Sequence, residues 1–565
     1  MNRSRKCLIS LPAFGLCCLV ALGVEASELP HGCIAPDCLT VLSNADGVDK
    51  DGTNKDNNNK PVVINIRIHP IFDESLPAEN NFLFRLANRL HIDTHEKVVA
   101  RDLLVEDGDY LDASLLAESE RILRTRHYFN SASVTSIPEE EGQVNVDVRE
   151  VWTLLPSVSY SHTGGKTSSG LGLRDSNFLG YGKTVSIVHN SSAERSGDSF
   201  DYFDPNTGWH QTTLGLSYDN NSDGQRRKVE FIRPYFSLST VNAGGITYEQ
   251  FDREDSVYNA GEIVSLYGHS ADKREFFYGA KLAFSNKHNI HRWNVGYAEE
   301  EDVFFNLQDT NELLVPRNRH FNTTWIEYSY IQDGYIEANN IQQINRIEDI
   351  NLGLESRVRI GHADSIYPEY DNTYQLTQDL SQGFLLSPAS LLLASIHLDG
   401  RYNQGRVYNG LVEGKIAYHW QNFPAGQLYV SLQGARGLRL FGDHELSLGG
   451  DMGLRGYPAF YETGDKRYLL TLEQRFYGER EWFSLFHMGY AVFYDQGRAW
   501  GDSLIPQTQT GQLRDVGIGL RISGTRTGSR DDSGHNVLHI DLATPLDGGG
   551  EVSQLQWLVK VKSSF

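Results

Sequence analysis

Cysteine is scarce in this chain, which excludes a fold built on disulfides. Of five cysteines in 565 residues, Cys7, Cys17 and Cys18 sit near the start, and only Cys33 and Cys38 follow. In an oxidising compartment those two, close together and alone, read as one small disulfide; a metal site there would need further ligands nearby. Past the first 26 residues no apolar run is long enough to cross a bilayer as a helix. Mean hydropathy is −0.42, so a polytopic helical membrane protein is excluded. Positive charge is in deficit: the net charge of −22 argues against nucleic acid and against an anionic inner-leaflet surface as partners. Methionine occurs three times only.

Aromatic residues and glycine are abundant, with 28 Tyr, 26 Phe and 53 Gly. Together with alternating polarity, this suits a β-barrel with an apolar outside and a wet inside. Composition alone leaves a large soluble all-β protein open.

The chain begins with Arg3, Arg5 and Lys6, then an apolar stretch, then "VEA" at 24–26. This pattern predicts a signal peptide over 1–26; the competing anchor reading meets a short core broken by Pro12. Residues 27–60 form an acidic linker, and 43–60 has the composition of a disordered segment. Asp49, Asp51, Asn54 and Asp56 have a loose calcium-loop flavour without the acidic ligand that closes an EF-hand.

Residues 61–152 predict a small α+β domain in the order strand, helix, helix, strand, strand. "PVVINIRIHPIF" is a β-branched strand, and Phe82, Leu83, Leu86 and Leu90 have helical spacing. Asp112 is a candidate N-cap before Leu115, Leu116, Ser119 and Leu123, and "VNVDVREVW" closes a hairpin. Such a domain has an open sheet edge to which an extended peptide can add.

From residue 153 to the end the pattern is strands alone, with roughly twenty candidate segments and a reading of 363–388 as a long loop. In "DVGIGLRI", Val516, Ile518, Leu520 and Ile522 share one face; Asp515 and Arg521 lie on the other. Leu538, Ile540 and Leu542 oppose His539 and Asp541 in the same way. The last segment places Trp557, Val559, Val561 and Phe565 on one face, against Gln556, Lys560, Lys562 and Ser564.

One connection stands out: "LGGDMGLRGYPAFYETGD", 448–465. Its glycines Gly449, Gly450, Gly453 and Gly456 allow positive-φ turns and close backbone approach. Downstream, "FYDQG" places Phe493, Asp495 and Gly497 on one strand face, and Glu473 and Arg475 point inward by the same alternation.

Leu454-Arg455-Gly456-Tyr457, "FYDQG", the early segment "DSNFLGYGK", the preceding α+β module and the terminal aromatic strand together resemble the BamA/TamA outer-membrane assembly superfamily. The resemblance implies an all-β transmembrane barrel over 153–565, of 16 antiparallel strands, behind one POTRA-like periplasmic domain. It also implies an extracellular loop, 446–467, folded into the lumen. Arg455 would latch that loop to Asp495, with Glu473 as a second partner, since a guanidinium can fork two hydrogen bonds to one carboxylate. Ser563 departs from the family's terminal-strand signal, and the general assembly factor carries several POTRA modules.

The implied activity is insertion or translocation of unfolded outer-membrane or secreted clients, received at the POTRA edge. It needs no nucleotide, cofactor, metal or catalytic residue. The implied partners are those clients and outer-membrane lipid, with no nucleic acid, and the implied state is a monomer. The rivals are a plugged passive channel or solute pore, a surface or lipid-handling barrel, and, remotely, a soluble secreted enzyme.

Overall fold

The computed structural model describes residues 61–137, 142–163, 165–192, 194–308, 310–506, 511–527, 537–547, 552 and 555–561. The leader, the acidic linker, Cys33, Cys38 and Phe565 lie outside the described residues.

The N-terminal domain comprises β1 (Val63–His69), α1 (Phe82–Leu90), α2 (Glu96–Asp102), α3 (Ala113–Arg124), β2 (Phe129–Ser136) and β3 (Gln143–Glu150). β3 is central, parallel to β1 and antiparallel to β2. Asp112 caps α3, its carboxylate accepting the Ser114 N–H. The helical spacing of α3 buries Leu116 and Leu123 against Val144, Val146 and Val148 of β3. The short helix α2, whose Val98 and Val99 join that core, has too few residues to show a helical period in the sequence. In α1 the apolar stripe does not face the core: Phe82, Leu83, Leu86 and Leu90 are exposed. The helix is held through Phe84, stacked on Phe72 with ring centroids 3.9 Å apart, and through Asn88, whose side chain bonds the Phe72 backbone.

From β4 (Leu154–Thr163) onward the chain forms a closed antiparallel barrel of twenty strands, ending with Gln556–Val561, which pairs back to β4 at Val559 and His162. The strand number is even but is not 16. Each short segment between residues 154 and 233 is a wall strand of only 8–10 residues, so none merges with its neighbour into a longer one. The reading of 363–388 as a loop is also overturned. Thr373–Ser387 is a wall strand whose mostly polar middle, Gln378 to Gln382 around Leu380, masks its alternation.

Closure lets backbone groups pair around the ring, with the seam between β4 and the last strand held by the single register pair Val559–His162. Many outward positions are apolar and exposed, among them Leu171, Ile187, Ile246, Phe276, Ile360, Val492 and Ile518. Inward neighbours on the same strands are buried and polar, such as Asp495, Asp515 and Arg521. No described helix is long and apolar enough to cross a membrane, which leaves strand crossing untouched.

The domain lies against one rim of the barrel. Asn177 Nδ2 donates to Thr94 Oγ1 (2.8 Å), and His95 N–H donates to the Gly180 carbonyl (3.0 Å). Arg526 pairs with Glu79 at 2.6 Å. Arg124 bridges to Glu337 (2.6 Å) and Asp349 (2.8 Å) of a hairpin outside the wall, Tyr335–Asn339 with Ile347–Asn351.

In that hairpin the buried Glu348 carboxylate accepts the N–H groups of Ile341, Gln342 and Gln343. Burial pushes its carboxyl up to about 7, against the pull of those donors and of Arg346. Because the folded value lies above the unfolded one, folding favours the neutral acid. The hairpin is therefore tightest below the ordinary carboxyl range and loosens as pH rises through about 7. Amide exchange at 341–343, corrected for its intrinsic pH dependence, is expected to accelerate from about pH 5 to about pH 8. Glu348→Gln should flatten that dependence; a flat wild-type profile would refute the account.

Candidate functional site: the in-folded loop and its anchor

The stretch between the wall strands Gly426–Leu438 and Lys466–Trp482 carries a small hairpin, Leu446–Leu448 with Glu462–Gly464. Its middle enters the lumen. Gly449 has φ 114°, and a Cβ there would lie 1.9 Å from the Pro458 carbonyl oxygen, so only glycine fits this turn. Gly450 and Gly453 also have positive φ, and so does Leu454, at 60°. Gly456 is not among the positive-φ residues: its lack of a side chain serves close approach, since a Cβ would sit 2.7 Å from Asp515 Cβ.

The left-handed turn at Leu454 precedes Arg455, which is buried against the wall. Arg455 Nε and Nη2 donate to the two carboxylate oxygens of Asp495, at 2.7 and 3.1 Å. Its Nη1 donates to Glu473 (3.0 Å) and to Asp541 (3.2 Å). The guanidinium carbon lies 3.3 Å from the centroid of the Phe493 ring. The next two residues extend the contact. Gly456 N–H donates to Asp515 at 2.9 Å, and the Tyr457 hydroxyl donates to the carbonyls of Arg514 (2.9 Å) and Asp547 (3.0 Å). Gly497 faces Leu448 of the loop.

A buried charge is tolerable only when paired and hydrogen-bonded. Here Glu473 also accepts from Arg475 (3.0 Å) and Arg521 (3.2 Å), and Arg521 bonds Asp541. Asp495 stands directly opposite Asp515 in the strand register, a like-charge pair that would be unfavourable alone. Arg455 forks both oxygens of Asp495, whereas the Gly456 N–H reaches only Oδ2 of Asp515 and Oδ1 has no hydrogen-bond partner among the described residues.

The structure brings Arg455, Gly456, Tyr457, Asp495, Glu473 and Phe493 together. It also adds Asp541, Asp515 and Arg521, which alternation places inward without saying that they meet. Trp557 faces outward and stacks on His162 of β4, with centroids 4.1 Å apart. Val559 lies in the register pair with His162, and Val561 opposite Leu538. Further along, the loop crosses the lumen: Phe460 stacks on Tyr258 at 4.4 Å, and its carbonyl accepts from Gly261. Those residues belong to a hairpin on the far side of the ring.

No family model matches the chain, and no curated protein matches it. Solved structures resemble it, three of them as follows. BamA from Haemophilus ducreyi lacking POTRA domains 1–3 is 14% identical, with 88% of this chain and 84% of that one covered and a TM-score of 0.37. CdiB from Acinetobacter baumannii is 10% identical, with 89% and 73% covered and a TM-score of 0.40. CdiB from Escherichia coli is 14% identical, with 88% and 76% covered and a TM-score of 0.44. Likenesses of that size bear on none of the residues above.

Removing one partner of a buried charge pair costs about 3–5 kcal/mol, so Arg455→Ala should raise amide exchange over 449–461 by about two to three orders of magnitude. Arg455→Lys should recover little, because an ammonium cannot fork Asp495 while reaching Glu473. Hydrogen exchange of the purified protein checks both; unchanged protection in Arg455→Ala would show that the loop is held by its apolar contacts alone.

Proposed function

We propose that the chain is a bacterial outer-membrane barrel that helps insert client proteins into that membrane, or move them across it, without nucleotide or catalysis. In this reading the N-terminal domain is a single POTRA-type module in the periplasm, and the barrel works as a monomer in contact with lipid. The apolar outer face of the closed ring supports the membrane setting.

One observation carries the proposal: an unpaired strand edge opening onto a groove. In β1, Val63 N–H donates to the Gly142 carbonyl beside β3, so Val62, Ile64, Ile66 and Ile68 turn their backbone outward. Val62 N–H is taken by the Asp109 carbonyl and Ile64 N–H by the Asp107 carboxylate. Among the described residues, Ile66 and Ile68 N–H have no partner. The groove beside them, about 810 Å³, is lined by Ile64, Ile66, Ala100, Leu103 and Val105, and by Asn206 and His210 of the barrel rim. An extended client could add a strand here through backbone bonds and bury alternate side chains in the groove. Arg455 and its loop would keep the lumen obstructed meanwhile. The junction of β4 with the last strand, marked by the Trp557–His162 stack, is where a client strand would enter the wall.

Quantitative proteomics of outer membranes with and without the protein tests this. Specific loss of a few barrel or surface proteins is expected, and a photo-crosslinking residue at Ile66, but not at Thr135, should capture them. Unchanged protein content with altered small-solute permeability would replace the proposal with a plugged channel. Unchanged protein content with lost lipid asymmetry would replace it with a lipid-handling barrel.

A further inference from the structure

Away from the lumen, His91, Asp93 and Glu150 converge where the N-terminal domain meets the barrel. One ligand-capable atom from each lies within 4.8 Å of the other two. His91 follows the last residue of α1, Glu150 ends β3, and Asp93 sits between α1 and α2. The His91 and Glu150 side chains are 5% and 1% exposed, and His91 Nε2 lies 3.1 Å from Glu150 Oε2.

That approach is not an aligned hydrogen bond: among the described residues neither His91 Nε2 nor Glu150 Oε2 has a hydrogen-bond partner. Two buried polar atoms facing each other in this way are poorly served as a simple pair. They are well placed as two ligands of one ion. In a tetrahedral site with bonds of about 2.0–2.1 Å, adjacent ligand atoms stand roughly 3.3 Å apart. The other Glu150 oxygen is already fixed, accepting from Thr94 N–H (2.6 Å) and Thr94 Oγ1 (2.5 Å). Thr94 Oγ1 in turn accepts from Asn177 Nδ2 of the barrel loop at 2.8 Å. Such outer hydrogen bonds orient a metal-binding carboxylate and leave its second oxygen to the ion. Asp93 is exposed, which gives the ion an entry path.

We propose that His91, Asp93 and Glu150 form a site for a divalent first-row transition ion of the zinc class, with a fourth position left to water. An imidazole with two carboxylates suits such an ion better than calcium or magnesium, which prefer oxygen alone. The ion joins the end of α1 to the strand that leads into β4. Through Thr94 and Asn177, it also bears on the loop after the second wall strand. Occupancy therefore stiffens the joint between domain and barrel.

The test uses the full chain in detergent, stripped with chelator, with Cys33 and Cys38 replaced by serine so that thiolates do not contribute. Titration with Co²⁺ is expected to give visible ligand-field absorption that saturates at about one equivalent and is displaced by Zn²⁺. His91→Gln and Asp93→Asn should each abolish the absorption while leaving the far-ultraviolet circular dichroism unchanged. His288→Gln, at an exposed histidine elsewhere on the rim, should keep it. Zn²⁺ should also slow amide exchange over 91–95 and 175–183 in the parent only. Absence of the absorption in the parent, or its persistence in His91→Gln and Asp93→Asn, overturns the proposal. Glu150 is left intact because it holds Thr94.

Discussion

Closure of the backbone ladder is the constraint from which the rest of the molecule follows. Twenty strands paired side by side close into a ring, so the wall can present a largely apolar exterior while its peptide groups bond along the ladder. The strand period of two then puts alternate side chains of the wall inward, and there the buried charges of the wall collect. A ring of this size encloses far more space than its own inward side chains can fill. Charges within it must find partners, and something else must occupy the volume.

The in-folded loop meets both needs. Its backbone enters through left-handed turns that glycine tolerates, and it delivers one guanidinium to a wall already rich in carboxylates. Arg455 alone would be a costly buried cation, and Asp495, Glu473 and Asp541 alone would be costly buried anions. Together they form a network in which Arg475 and Arg521 balance the remaining charge. Each member depends on the others, so the loop has a definite seat rather than a loose resting place. The seat is built from four consecutive wall strands, from Lys466–Trp482 to Val537–Pro545, and the loop ties that side of the ring to the hairpin opposite.

The other end of the barrel is governed by a different chemistry. There the domain meets the rim through dispersed hydrogen bonds and ion pairs, such as Arg526 with Glu79 and Arg124 with Asp349. Contacts of that kind set orientation more than affinity. Among the described residues, the outward face of β1 keeps two backbone donors unpaired above a groove, and α1 leaves its apolar stripe exposed. The domain is therefore firmly folded around Leu123, Val144 and Val146, yet unfinished at its surface.

Much of this was legible in order along the chain. Alternation in "DVGIGLRI" told which residues face inward, Asp112 announced its helix, and the Leu-Arg-Gly-Tyr run with the later Phe-x-Asp-x-Gly marked both halves of the anchor. These are local signals, set by the geometry of two residues per strand repeat and by capping. The sequence misled where a local signal had more than one use. Phe82, Leu83, Leu86 and Leu90 have the spacing of a core-facing helix, but which side of a helix is covered depends on its neighbours. The polar run in Thr373–Ser387 resembles a loop until a wide lumen is there to receive it. The meeting of Asp541 and Asp515 with the loop, and the convergence of His91, Asp93 and Glu150, were decided by tertiary structure alone. Each depends on distances between segments separated by tens of residues or more, and no periodicity along a chain encodes them. What the sequence by itself determined is the class of each segment and the side each residue takes; which residues then become neighbours was settled by closing the ring.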